Sequence, residues 1–189
     1  MKRFVCIVAA LVCIASVAVA APSKTTGDMS SSTTAPVQET VVANPTIDVN
    51  GSDAASAALC NEEVAKLQAS GSAAAYFGDV KDAAGNAVSL ASVLGTDDVK
   101  VNEFVPLVIK DYDVSYGNVR STFKMPTAYA QGEKVVVLVG VKNPATGEIE
   151  WVALEGVGVG TDGEIQVEFP AELLAAIQNG NALMAVASK

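Results

Sequence analysis

Polar and apolar residues alternate most cleanly in the last seventy or so positions of the chain. Val119, Ser121, Phe123 and Met125 take turns with Arg120, Thr122 and Lys124, a period of two that sends one set inward and the other outward. Ile165, Val167 and Phe169 alternate likewise with Glu164, Gln166 and Glu168, just after Asp162-Gly163, a strong hairpin dipeptide. Ile149, Trp151 and Ala153 share one strand face against Glu148, Glu150 and Val152. The run from Val135 to Val141 is nearly all apolar, as expected of a central strand covered on both faces. Asn143 to Gly147 reads as the hairpin loop between these two strands, with Pro144 presetting φ and Gly147 taking the left-handed position. Pro170 to Ile177 predicts a short helix with proline in its first turn, and Ala182 to Ala187 a closing strand.

Upstream the periodicity changes. Ala57, Cys60, Val64 and Leu67 recur at three- and four-residue steps, so residues 53–72 read as a helix packed on or leading into the domain, with Ser52 or Asp53 as its cap and Gly71 as its end. Ala73 to Phe77 reads as a strand, Asp82 to Asn86 as a turn, and Ser89 to Leu94 as a helical turn closed by Gly95. Val99 to Ile109 reads as a strand that Pro106 confines to an edge or marks with a bulge. Turn signals recurring about every eight to twelve residues make 73–189 a mainly β domain. The helical crossing favours an immunoglobulin-like β-sandwich over an up-and-down barrel.

The N-terminal segments carry neither period. Met1-Lys2-Arg3, the apolar run Phe4 to Ala20 and the ending Ala18-Val19-Ala20 have the pattern of a signal peptide, residues 1–20, cleaved after Ala20. Residues 21–52 are rich in Ser, Thr, Ala, Val and Pro and read as a disordered linker. Asn50-Gly51-Ser52 matches the N-glycosylation triplet. The expected localisation is therefore secreted or extracellular, with no membrane association after cleavage.

Composition then removes chemistry. The chain has no histidine, which excludes a Ser-His-Asp triad, a Cys-His pair and His-ligated metal. Its net charge of −9, which becomes −11 when the leader takes Lys2 and Arg3 with it, argues against nucleic acid as a partner. Cleavage also removes Cys6 and Cys13, so Cys60 has no internal disulfide partner and reads as a buried core residue. Asp111-Tyr112-Asp113-Val114-Ser115 begins like an EF-hand loop, but Tyr116 stands where the loop needs glycine and Thr122 where it needs glutamate. Asp97-Asp98 reads as a polar turn. Glu148 and Glu150 lie on one polar strand face with no sign of the cleft a carboxylate-dependent hydrolase needs. Trp151 reads as a core tryptophan. Tyr112 and Tyr116, flanked by Asp111 and Asp113, are the candidate binding residues, as a surface platform for a sugar or another small ligand. No catalytic residue, metal or cofactor is expected.

The stretches FKMPTAYAQGEKVVVLVGV, GEIEWVALEGVGV and DGEIQVEF, within Tyr116 to Lys189, resemble immunoglobulin-like β-sandwich modules of bacterial secreted and cell-surface proteins. That resemblance implies export and a non-catalytic structural, adhesion or binding role. The partner would be an extracellular protein or glycan, and no functional residue carries over. A carbohydrate- or small-ligand-binding module is the alternative expectation, and a carboxylate-dependent hydrolase the second.

Overall fold

In the computed structural model the described residues are 31–34, 45–49, 54–160, 163–178 and 181–189. The leader, the glycosylation triplet, the cap of the first helix and Asp162 lie outside them. The elements, in chain order, are β1 (Ser31–Thr34), β2 (Thr46–Asp48), α1 (Ala54–Ser70), α2 (Ala73–Phe77), β3 (Asp79–Asp82), β4 (Ala87–Ser89), α3 (Leu90–Leu94) and β5 (Lys100–Lys110). After a 3-10 turn at Val114–Tyr116 come β6 (Val119–Lys124), β7 (Lys134–Lys142), β8 (Ile149–Val159), β9 (Glu164–Phe169), α4 (Ala171–Gln178) and β10 (Ala182–Ser188).

Eight strands form one antiparallel path, β1-β6-β9-β8-β7-β10-β5-β2, whose two edge strands approach each other, so that the sheet is nearly closed. The β3–β4 hairpin joins from the side, through a parallel pairing of β3 with β8. The protein is thus mainly β, as the alternation implied. The expected division into two facing sheets is replaced by one continuous sheet, and the reason lies in β7 and β10. Both strands are apolar on both faces. Val135, Val137 and Val139 join Met184 and Val186 in an inner core, while Val136 and Leu138 join Leu183, Ala185 and Ala187 in an outer one. The nearly closed sheet encloses the first core, and helices α1 to α3 cover the second.

Glycine makes the outer packing possible at one pair. Gly140 lies opposite Trp151, and a Cβ at Gly140 would stand 2.7 Å from the indole ring and from Ile149. Trp151 shares its face with Ile149 and Ala153 as expected, but that face is the outer core, where the ring meets Phe77 edge-on at 4.9 Å.

Three segments depart from the sequence reading. Ala73–Phe77 is a helix, not a strand: three alanines favour helix, the Ser72 hydroxyl caps it by accepting the Ala75 N–H at 3.1 Å, and Gly78 ends it at positive φ. The buried face of α1 keeps Cys60 and Leu67 as expected but is wider, adding Ser56, Leu59 and Glu63 and leaving Ala57 and Val64 half-buried. The linker reading does not hold for its two strands. Thr46–Asp48 pairs with β5 and sinks Ile47 to 1% exposure, and Ser31–Thr34 pairs with β6. Two apolar side chains, Ile47 and Val49, are enough to seat a strand on an unfilled sheet edge.

Candidate functional site

The two open ends of the sheet are closed differently, and the side chains with chemistry gather there. At one end lie the residues chosen from the sequence. Tyr112 is 5% exposed, and its hydroxyl donates to the Gly117 carbonyl at 3.0 Å and reaches the Ala171 carbonyl at 3.5 Å. Its ring meets Tyr116 edge-on at 6.2 Å, and Tyr116 packs half-buried on the same inner core. Asp113 caps the 3-10 turn, accepting the Ser115 N–H at 2.8 Å, and hydrogen bonding from Ser115, side chain first and backbone second, holds its carboxyl below the usual range. Asp111 is exposed and adopts φ 59°, which ends β5. The four residues are brought together, but Tyr112 is committed to the core and the two rings form no exposed stacking platform. They brace α4 instead: Gln178 donates to the Tyr112 carbonyl at 3.1 Å, and the Ala171 N–H donates to Asn118 at 3.1 Å.

A second cluster joins α1 to α2. The buried Glu63 accepts the Tyr76 hydroxyl at 2.6 Å on one oxygen and the Lys66 ammonium at 2.6 Å on the other. Burial, reinforced by that bond, pushes the Tyr76 phenol up. Tyr76, Phe77, Phe104 and Trp151 stack edge-to-face at 4.7–6.5 Å, a geometry that fills space rather than enclosing a ligand. Cys60 lies beneath them with its thiol toward the Phe104 carbonyl, and burial raises it to about 11, so it is a poor nucleophile.

The opposite end is closed by a strap, residues 125–133, running from β6 to β7. Backbone bonds tie its second half to β8, Gly132 N–H donating to the Gly158 carbonyl at 2.9 Å and Gly158 N–H to the Glu133 carbonyl at 2.8 Å, and side chains tie its first half to β5. The Thr127 N–H and hydroxyl donate to one oxygen of Glu103 at 3.2 and 2.7 Å. Asn102 donates to the Tyr129 and Ser188 hydroxyls at 3.3 and 2.8 Å. Tyr129 is pushed up to about 12, chiefly by burial. The strap rests in notches left by glycines: a Cβ on Gly158 would stand 2.1 Å from the Ala130 carbonyl oxygen, and one on Gly163 2.8 Å from the Ala128 Cα. Glu103 faces the inner core by strand alternation with Val105, Leu107 and Ile109, and a bulge lies just before it. The register slips between Val186 and Ala187, so Val186 faces Glu103 while Ala187 faces Val101, and Asn102 is the extra residue.

Beside α3 the outer sheet face is incompletely covered. A cleft of about 280 Å³ is lined by Val93, Leu94, Lys134, Val136, Glu155 and Val157, among others. Val157 is 37% exposed, and the register sets Lys134 opposite Val157 and Val136 opposite Glu155, so two opposite charges bracket an apolar floor.

The expected carboxylate pair is split by its partners. Glu150 bonds Lys81 at 3.1 Å, which together with Asn143 lowers its carboxyl, while Glu148 stands exposed in the hairpin. Asp98 lies 3.6 Å from Lys100. Among the described residues no three His, Cys, Asp or Glu side chains converge on a metal-sized position, and no helix is long and apolar enough to cross a membrane. Sequence reasoning missed Glu63, Glu103 and the cleft. One signal for Glu103 was present: it interrupts the apolar series Val101, Val105, Leu107 and Ile109 at a position of the same parity. Compared with protein-family models, with curated proteins and with solved structures, the chain matches none.

Proposed function

We propose that this is an exported, non-catalytic β protein with a structural, adhesion or binding role at or outside the cell surface. The observation that carries this reading is how its polar side chains are used. Glu63, Glu103 and Tyr112 each hold one element to another, Asp113 caps its own turn, and the inner core is packed with valine, leucine, isoleucine and phenylalanine. A catalytic set needs an acid, base or nucleophile converging on open space. The leader pattern and the resemblance of the last seventy residues to modules of bacterial extracellular proteins support the same assignment. The test is a hydrolase panel run beside a pull-down from culture medium, both on the exported chain. Captured partners without turnover are expected. Reproducible turnover abolished by Glu63→Gln or Glu150→Gln would overturn the reading.

The cleft beside α3 favours a second reading, an extracellular small-ligand-binding module. Its apolar floor, with one cation and one anion at the rim, suits a small amphipathic ligand. Glycan and metabolite arrays on the wild type and on Val157→Asp separate the two: binding lost in the variant supports a ligand site, and no hit removes it.

A further inference from the structure

We propose that Glu103 anchors a buried site for a monovalent cation, and that the bound ion locks the strap over the end of the sheet. Glu103 is 2% exposed and faces the inner core. One carboxyl oxygen, Oε1, takes both Thr127 bonds. The other, Oε2, is fully buried and has no hydrogen-bond partner. Neither protonation state resolves this, since a carboxylate oxygen there needs a donor or a cation and a protonated one needs an acceptor. Buried polar groups left so are costly, more so when charged, and native proteins resolve them with a partner, a water or an ion.

The neighbourhood supplies hard oxygen donors. The Thr127 hydroxyl spends its proton on Oε1 and keeps its lone pairs, and the Tyr129 hydroxyl accepts from Asn102. Tyr129 is hydrogen-bonded to Thr127, and Thr127 to Glu103, which places the three side chains in one cluster. Its donors come from β5 and from the strap, so an ion held between them couples occupancy to closure. A single carboxylate with neutral oxygens balances one positive charge. Calcium sites gather several carboxylates, and Glu133, the other carboxylate of the strap, spends an oxygen on the Ala130 N–H at 2.9 Å.

The experiment is thermal unfolding of the full chain at fixed ionic strength in sodium, potassium or N-methylglucamine chloride, repeated with added calcium. A ligand bound only by the folded state raises the folding constant up to tenfold for each tenfold rise in its concentration above Kd. The expected result is a higher midpoint in sodium or potassium than in N-methylglucamine, lost in Glu103→Gln. Should Glu103→Gln not fold, Tyr129→Phe takes its place, with the cation response expected to weaken severalfold. Equal midpoints in all three salts would overturn the proposal and leave water as the partner of Oε2. It would equally be overturned by a response to calcium alone, or by an unchanged response in the variant that folds.

Discussion

One end of the sheet is sealed by a helix that contributes area, the other by a strap that contributes bonds. Leu173, Leu174 and Ile177 of α4 are buried in the inner core, and Tyr112 packs beneath them. Their stabilisation is spread over many weak contacts and declines gradually as any one is trimmed. The strap buries Met125 and Tyr129, but its position is set by Thr127 on Glu103, by Asn102 on Tyr129 and by the Gly158 and Gly163 notches. A closure that depends on a few atoms fails when one of them changes. The strap is therefore expected to open locally before the α4 end does.

The largest effect is expected from Leu174→Ala. Leu174 is 1% exposed, and deleting a side chain so buried costs about 2–5 kcal/mol through lost transfer energy and the cavity left behind. Urea unfolding measures it; a cost below about 1 kcal/mol would mean that α4 is no more a core element than the strap. Next comes Gly158→Ala. The added Cβ meets backbone, the Ala130 carbonyl oxygen at 2.1 Å, which has no rotamer to yield, so the strap must lift at a cost of about 1–3 kcal/mol. Hydrogen exchange should then speed up across residues 127–133 and stay unchanged in α4. Acceleration at both ends would show the two closures to be one cooperative unit. Thr127→Val should cost somewhat less, about 1–2 kcal/mol, since it removes the hydroxyl bond to Glu103 but keeps the N–H bond. The double variant with Glu103→Gln should fall short of the sum of the single effects, because both changes break the same contact.

The difference between the ends also marks how far the sequence could be read. Elements fixed by local pattern were legible. β6, β9 and α4 are found where alternation and Pro170 put them, and α3 has the Ser89 cap and the Gly95 stop. What depends on distant partners was not. Nothing local states that the both-sided apolar strands β7 and β10 close a single sheet, or that Ile47 completes its edge. Tyr112 and Tyr116 appear as a surface pair in a turn-like stretch, and only α4, more than fifty residues on, makes one of them core. The inward face of Glu103 shows in the sequence only as an oddity in an apolar series, and the bulge at Asn102, which sends Val101 to the outer core, is a two-strand property.

The smallest effect concerns the polar rim of the α4 end and separates it from the strap by pH. Glu168 accepts from Asn118 at 3.1 Å and from Arg120 at 3.1 Å across the β6–β9 pair, and Asn118 in turn holds the first N–H of α4. The Asn118 bond first, and Arg120 after it, hold the Glu168 carboxyl below its ordinary value of 4.5. A group lowered by folding releases its proton more readily in the folded state. Its contribution is therefore fully present above that ordinary value and is lost as pH falls through the folded one. Because the pair is half exposed, the contribution is small, within about 1 kcal/mol, and salt should weaken it further. Wild type should thus exceed Glu168→Gln in midpoint at pH 6, and the two should converge as pH falls from 4.5 through the lowered folded value. Exchange at Ala171 should follow the same curve while the Thr127 amide does not. A Glu168→Gln difference that persists at pH 3 would mean that the side chain acts by packing rather than charge, and the rim would then be as apolar in character as the helix it borders.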